Sequence, residues 1–230
     1  MSQLLGFTAP ELTSVLLSVK VAVWCSLISL PFALAAGYAM ARLHFWGKSA
    51  VESLLHLPMV MPPVTTGYLL LLVFGVRGAV GGWVMRTLGI RLSFTFTAAV
   101  IASVVVSFPL FVRSVRTAME MVDTGMEEAS QMLGAGRLKT FLMVTVPLSL
   151  PGIVSGFVLV FARSLGEFGA TITFAGNIEG ETRTLPLAIY SYMQVPGREG
   201  ATLHLALVSV VISFAAMVVS EVFVRRMRRL

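Results

Sequence analysis

The sequence has 230 residues, of which 57% are hydrophobic and only 12% charged, with a mean hydropathy of +0.88. A soluble domain carries roughly 25% charged residues, so half that share, with the apolar residues gathered in long runs, excludes a soluble globular domain and indicates an integral membrane protein. The net charge of +6 includes four arginines in the last six residues, which suits an anionic membrane face; nucleic-acid binding would need a soluble basic domain, and none is present.

About 20 mostly apolar residues cross a bilayer, and five stretches meet that requirement. The opening MSQLLGFTAPELTS has no basic segment before the first apolar run, so no cleaved signal peptide is expected. The first span covers residues 12–43, long enough to be tilted or to extend past the membrane. A turn at 44–48 leads to the second span, 51–74, which contains Pro58, Pro62 and Pro63. Prolines interrupt helical hydrogen bonding, and here, as at Pro109 in the third span (95–115), they make either a hinge or a static kink. A Gly/Arg-rich loop (75–92) separates those two spans. The fourth span covers 148–169 and the fifth 201–224, with a polar loop at 177–200 between them. Inside that loop Leu185, Ile189 and Tyr192 fall at helical spacing behind a first-turn Pro186. A nine-residue helix at 185–193 is too short to cross and is expected at the outer face, either as a bearing for a receptor or as packing over helix ends. No repeat or linker is evident, so residues 1–230 are read as one membrane domain.

The interval at 116–147 is the polar, glycine-punctuated exception. Thr124 with Glu127 has the T-x-x-E form of a capping box. Met126, Ala129, Ser130 and Leu133 then follow at i, i+3, i+4 and i+7, a small and mildly apolar stripe. Gly134 and Gly136 end that short helix, and a second helical run over 137–146 leads into Pro147. Placing this interval in the cytoplasm puts ten basic residues inside (Arg42, Lys48, Arg113, Arg116, Arg137, Lys139, Arg225, Arg226, Arg228, Arg229) against five outside (Arg77, Arg86, Arg91, Arg183, Arg198). That orientation, with the N-terminus outside and the C-terminus cytoplasmic, is favoured. Splitting the long first run would give six spans and reverse the N-terminus.

Signatures of catalysis are missing. His44, His56 and His204 lie in separate segments, Cys25 is the only cysteine, and no G-x-S-x-G elbow occurs. Neither a metal site nor a catalytic residue is expected. The phrase GAGRLKT at 134–140 lacks the glycine that a phosphate loop needs before its lysine and follows no strand, so ATP is not bound by this chain.

Two longer patterns carry a resemblance. Glu128-Ala129-Ser130, three residues, Gly134, nine residues, then Val144-Thr-Val-Pro147 resembles the E-A-A-x3-G-x9-I-x-L-P motif of ABC importer permeases, with Ser130, Val144 and Val146 as conservative departures. The resemblance implies a coupling helix docked on a separate ATP- and Mg-binding subunit, with Glu127, Glu128, Ala129, Ser130, Leu133, Gly134 and Ala135 as its coupling residues. Small side chains at 129 and 130 admit a partner backbone, Gly134 permits a sharp turn, and Glu128 supplies charge at the rim. FARSLGEFGATITF from Phe161, then GETRTLP from Gly180, with HLPMVMPPVTTGYLLL in the second span, is similar to the molybdate/tungstate/sulfate branch, and most to molybdate permeases. This implies an all-α, type I importer bundle of about five spans in the cytoplasmic (inner) membrane, working as a homodimer in contact with lipid. It also implies a periplasmic or surface oxyanion-binding protein as a further partner. Sulfate or tungstate is the alternative substrate. A secondary anion transporter or channel would need inverted repeats or mid-membrane coupling charges, which are not seen, and would leave the 116–147 interval without a use.

For the translocation path, Arg163 and Glu167 are neighbours at i, i+4. A charge at mid-membrane costs roughly 2.5–3.5 kcal/mol on insertion scales, so the pair is either a wall or gate of the path or a self-satisfied ion pair near the outer edge. Thr65, Thr66, Ser103 and Ser107 offer hydroxyls to a passing tetrahedral anion or to neighbouring helices. Lys20 reads as a snorkelling residue.

Overall fold

Helices α1 (Ala9–Arg42), α5 (Phe96–Glu120) and α8 (Val146–Leu165) pack against one another as the centre of the bundle. The structure is a computed structural model that describes residues 8–227, and every regular element in that range is helical. Around the centre stand α2 (Lys48–Val60), α3 (Pro63–Phe74), α4 (Ala79–Leu88), α6 (Thr124–Met132), α7 (Arg137–Thr140), α9 (Gly169–Phe174), α10 (Leu185–Met193) and α11 (Glu199–Met227). Arg228 and Arg229 of the charge count, and the MSQLLGF segment of the signal-peptide reading, lie outside the described residues.

Lipid tails are as apolar as leucine, so helices in a bilayer associate through close packing and small residues. The central contacts follow that rule. A Cβ added at Gly37 of α1 would lie 2.5 Å from Val115 Cγ1 of α5. At Gly152 of α8 it would lie 2.4 Å from Ala118 Cβ, and at Gly156 2.7 Å from Ser114 Oγ. The Ser114 hydroxyl donates to the Gly152 carbonyl at 3.1 Å across the same seam. Cys25, Ala33, Phe111, Val112, Val115, Ile153 and Val160 fill the space between the three helices. Helix α11 leans on α8 and α10 and leaves Leu203, Leu207, Val210, Val211, Phe214 and Phe223 exposed, as a lipid-facing span does.

Four helical stretches are long and apolar enough to cross: 9–42, 96–120, 137–165 and 199–226. The second predicted span is not one run. It is the bent pair α2 and α3, turned by 109°. Met61, ahead of two prolines, is extended (ψ 148°) and Pro63 starts the next helix; the residue before a proline is pushed out of the helical region and a proline suits a first turn. Counting the pair as one crossing gives five spans.

Three further boundaries differ from expectation. The loop at 75–92 contains α4, whose Gly81 backs onto the end of α3 so closely that a Cβ would meet Phe74 O at 2.1 Å. The fourth span begins at Arg137, because α7 runs through a π turn at Phe141–Thr145 directly into α8. Pro147 has no amide to offer a helical bond and crowds the preceding turn. The wider turn just before it, with Val146 N donating to Phe141 O, accommodates that defect without stopping the helix. The same span ends at Leu165 and not at 169, since Gly166–Phe168 break it before α9. Helix α10 covers Leu185–Met193 as predicted, with Pro186 in its first turn.

Candidate functional site

Helix α6 lies at the end of the bundle where α1 and α5 finish and α7 begins. Its N-cap is Asp123, whose Oδ1 accepts from Gly125 N at 2.8 Å; the predicted Thr124–Glu127 box does not form. The physical reason is Arg42. Its guanidinium draws the Glu127 carboxylate inward, with Nε 3.0 Å from Oε2, so that carboxylate is turned away from the helix start. A T-x-x-E arrangement exists instead at the head of α1, where Thr8 N donates to Glu11 Oε2 at 2.9 Å.

The end of α6 is closed by a Schellman pair: Ala135 N donates to Ser130 O (3.1 Å) and Gly134 N to Gln131 O (2.9 Å). Gly134 has φ +87°, in the left-handed region where a side chain is costly. The turn then reverses into α7, and the hydroxyls of Ser130 and Thr140 meet at 3.3 Å. The predicted coupling residues divide accordingly. Glu128, Ala129, Leu133 and Gly134 are exposed, Ser130 and Ala135 half-buried, and Glu127 buried. Leu133 is 90% exposed and Met132 87%, with Met126 and Leu138 also open. Three large apolar side chains (Met126, Met132 and Leu133) uncovered on a short polar segment outside the spans, with Leu138 open beside them at the start of the fourth span, are the signature of an interaction surface.

Beneath that surface Glu127 is held by two residues, Arg42 and Thr145. Arg42, at the last turn of α1, contacts it through Nε and through Nη2 (3.2 Å to Oε1), and Nη2 also donates to Val122 O in the α5–α6 connection at 2.7 Å. Thr145, the last residue of the π turn, donates to Glu127 Oε1 at 2.7 Å. The sequence showed the acid and the base 85 positions apart, with nothing to pair them.

At the opposite end of the bundle Arg163 and Glu167 do meet, with Nη1 3.0 Å from Oε2. Glu167 is buried and its other oxygen accepts from Ala170 N at 3.0 Å, so it caps α9 across the break after α8. Arg163 keeps about a third of its side chain exposed. Thr65 is exposed on α3, while Thr66 is buried. The hydroxyls of Thr66, Ser103 and Ser107, and those of Ser29 and Ser164, are buried without a hydrogen-bond partner. These groups belong to α1, α3, α5 and α8, and those of Ser29, Ser107 and Ser164 gather about the Cys25 thiol. Lys20 is exposed on α1.

The GETRTLP stretch owes its composition to a pinned turn. Thr182 Oγ1 accepts from Ile178 N (2.9 Å), Arg183 Nε donates to Asn177 Oδ1 (2.9 Å), and Asn177 Nδ2 donates to Ser191 Oγ of α10 (2.8 Å). Leu185 N is tied to Ser18 Oγ of α1 at 2.6 Å. The 177–184 loop is therefore fastened to the bundle at several points.

Residues 30–229 match the family described as "Binding-protein-dependent transport system inner membrane component". The molybdenum transport system permease protein ModB of Escherichia coli K12 is 49% identical over 214 residues, 93% of each chain. That of Haemophilus influenzae is 46% identical over 95% of this chain and 96% of its own. The sulfate transport system permease protein CysW of Synechococcus elongatus is 36% identical over 75% of this chain and 61% of its own. Among solved structures, a bacterial ABC transporter that imports alginate superposes with a TM-score of 0.75 at 14% identity, covering 96% of this chain and 81% of that one. The MetNI methionine ABC transporter gives 0.69 at 17% identity, covering 96% and 99%. These last two matches speak to the fold alone.

Proposed function

This chain belongs to the family of binding-protein-dependent transport system inner membrane components, and we propose that it is the permease subunit of an ATP-driven importer for an oxyanion, molybdate. Whole-length similarity to molybdenum permeases at 46–49% identity carries the substrate; the sulfate permease is less similar over a shorter stretch. The exposed face of α6 carries the partner. Glu128, Ala129, Leu133 and Gly134 present a small, apolar, acid-rimmed ridge outside the spans, the shape that a groove on an ATP-hydrolysing subunit can accept. Two copies of this chain enclose the path between them, and a binding protein delivers the anion at the end where α10 and the pinned turn lie. The α6 end is cytoplasmic, the side to which the basic residues are biased. ATP and its magnesium belong to the partner; this chain converts the partner's motion into alternating access.

Stepwise, nucleotide binding draws two α6 ridges together, the bundle opens toward the binding protein, and hydrolysis resets it. Thr65, exposed on α3, and Arg163, about a third exposed at the end of α8, suit a weak, exchangeable contact with a tetrahedral dianion, because a path that held it tightly would not release it. Reconstituting permease, ATPase and receptor, and measuring ATP hydrolysis with the receptor loaded in turn with molybdate, tungstate and sulfate, tests the proposal. Molybdate-loaded receptor is expected to stimulate hydrolysis; stimulation by sulfate alone would reassign the substrate, and none by any oxyanion would refute the importer.

A further inference from the structure

We infer that Glu127 is not a docking residue but the pin that ties α6 to the membrane helices, so that displacement of α6 is passed to α1 and α8. The inference rests on the reading of α6 as the ATPase-docking element. Glu127 and Glu128 are adjacent acids with opposite fates: Glu128 is exposed, whereas the Glu127 side chain is 11% exposed against an Arg42 side chain at 14%. The Arg42–Glu127 pair joins four parts of the chain. Arg42 brings the end of α1 (Nε–Oε2 3.0 Å), and its Nη2 reaches Val122 O at 2.7 Å, fixing the α5–α6 connection to the same guanidinium. Thr145 brings the π turn that opens into α8 (2.7 Å to Oε1). The fourth is α6 itself.

Helices α1, α5 and α8 are the central trio of the bundle, so α6 is tied directly to the elements that a change of access must move. The π turn has a part in this. Its extra residue per turn sets the Thr145 hydroxyl toward Glu127, and Thr145 O in turn accepts from Ser149 Oγ at 2.7 Å, carrying the tie one turn further into α8. A buried, bidentate guanidinium–carboxylate pair has a narrow geometry, and that narrowness is what transmitting a displacement requires. Ordinary apolar packing between α6 and the bundle is sparse, since Met126, Met132 and Leu133 all point away.

The test uses the full complex of permease, ATPase subunit and receptor in proteoliposomes. Glu127→Gln keeps an acceptor for Thr145 and removes the ion pair. The double variant Arg42→Met/Glu127→Met replaces the pair with apolar side chains, an exchange that buried pairs often tolerate without loss of stability. For both, the ATPase is expected to copurify and to hydrolyse ATP at its basal rate within about twofold, while receptor-stimulated hydrolysis and uptake per ATP fall about tenfold. Arg42→Lys, which keeps charge but not the fork, is expected to fall between. Normal uptake per ATP in the double variant, at an unchanged melting temperature, overturns the inference. So does a loss of uptake that only follows loss of protein from the membrane in both variants. Release of the ATPase by Glu127→Gln would show Glu127 to be a docking residue, and equally overturns it. If instead the wild-type permease holds no ATPase and Leu133→Glu changes nothing, the docking reading itself has failed.

Discussion

Replacing Gly152 by Ala probes the α5–α8 seam about two turns into α8. The added methyl would stand 2.4 Å from Ala118 Cβ, whereas carbon atoms rest at roughly 3.5–4.0 Å. The helices must therefore part by about 1 Å, or the methyl must push Ala118 aside, and Ala118 has no rotamer to give. Overpacking of this kind costs about 1–3 kcal/mol, and separation would also stretch the Ser114 Oγ to Gly152 O bond, now 3.1 Å. For a chain of this size that corresponds to a fall of about 2–10 °C in melting temperature, readable by fluorescence size-exclusion after heating in detergent. Ala118→Gly removes the opposing methyl, so the double variant is expected to regain most of the loss, less about 1 kcal/mol of helix propensity. A coupling of about 1 kcal/mol between the two sites is the diagnostic quantity. Gly152→Ala melting with the wild type, or strict additivity in the cycle, would refute the close seam.

Leu133→Glu should weaken ATPase binding about tenfold with no change in melting temperature, because that side chain is 90% exposed; a binding titration in detergent reads it. Gly134→Val should loosen the same partner by distorting the turn, at a backbone cost of about 1–2 kcal/mol for φ +87°, while Gly134→Asn, which tolerates that region, should be nearly silent in the same titration. Arg163→Ala should destabilise by about 1–2 kcal/mol, since it leaves Glu167 buried without its partner. Adding Glu167→Gln, which keeps an acceptor for Ala170 N, should restore most of it in a thermal melt.

What the sequence made legible was whatever depends on local pattern. The apolar runs placed α1, α5 and α11, and the proline ahead of an apolar triplet placed α10. The glycine after a short amphipathic run placed the end of α6. Motif spacing located the exposed ridge at 128–134, because three small or acidic positions and a glycine at fixed separations are visible without a fold. Contacts made by distance in space were not legible. Nothing local joins Arg42 to Glu127, so the sequence pattern offers the acid as the far half of a capping box. Neighbouring Asp123, an equally good cap, took the N-terminus of α6 once Arg42 had claimed the glutamate. The 109° break at Pro62–Pro63 reads in the sequence as a hinge or a static kink within one span, since proline count does not give the angle. Helix α4 was hidden because ten residues with two glycines resemble a loop until the end of α3 is there to pack against.

Uptake of labelled oxyanion into proteoliposomes holding this permease, its ATPase and the receptor decides whether the chain is an ATP-driven molybdate permease. Molybdate should accumulate inside against its gradient only with ATP enclosed on the α6 face and receptor outside, and excess unlabelled sulfate should not compete. Accumulation without ATP would make the chain a secondary transporter, and preferential accumulation of sulfate would contradict the assigned substrate.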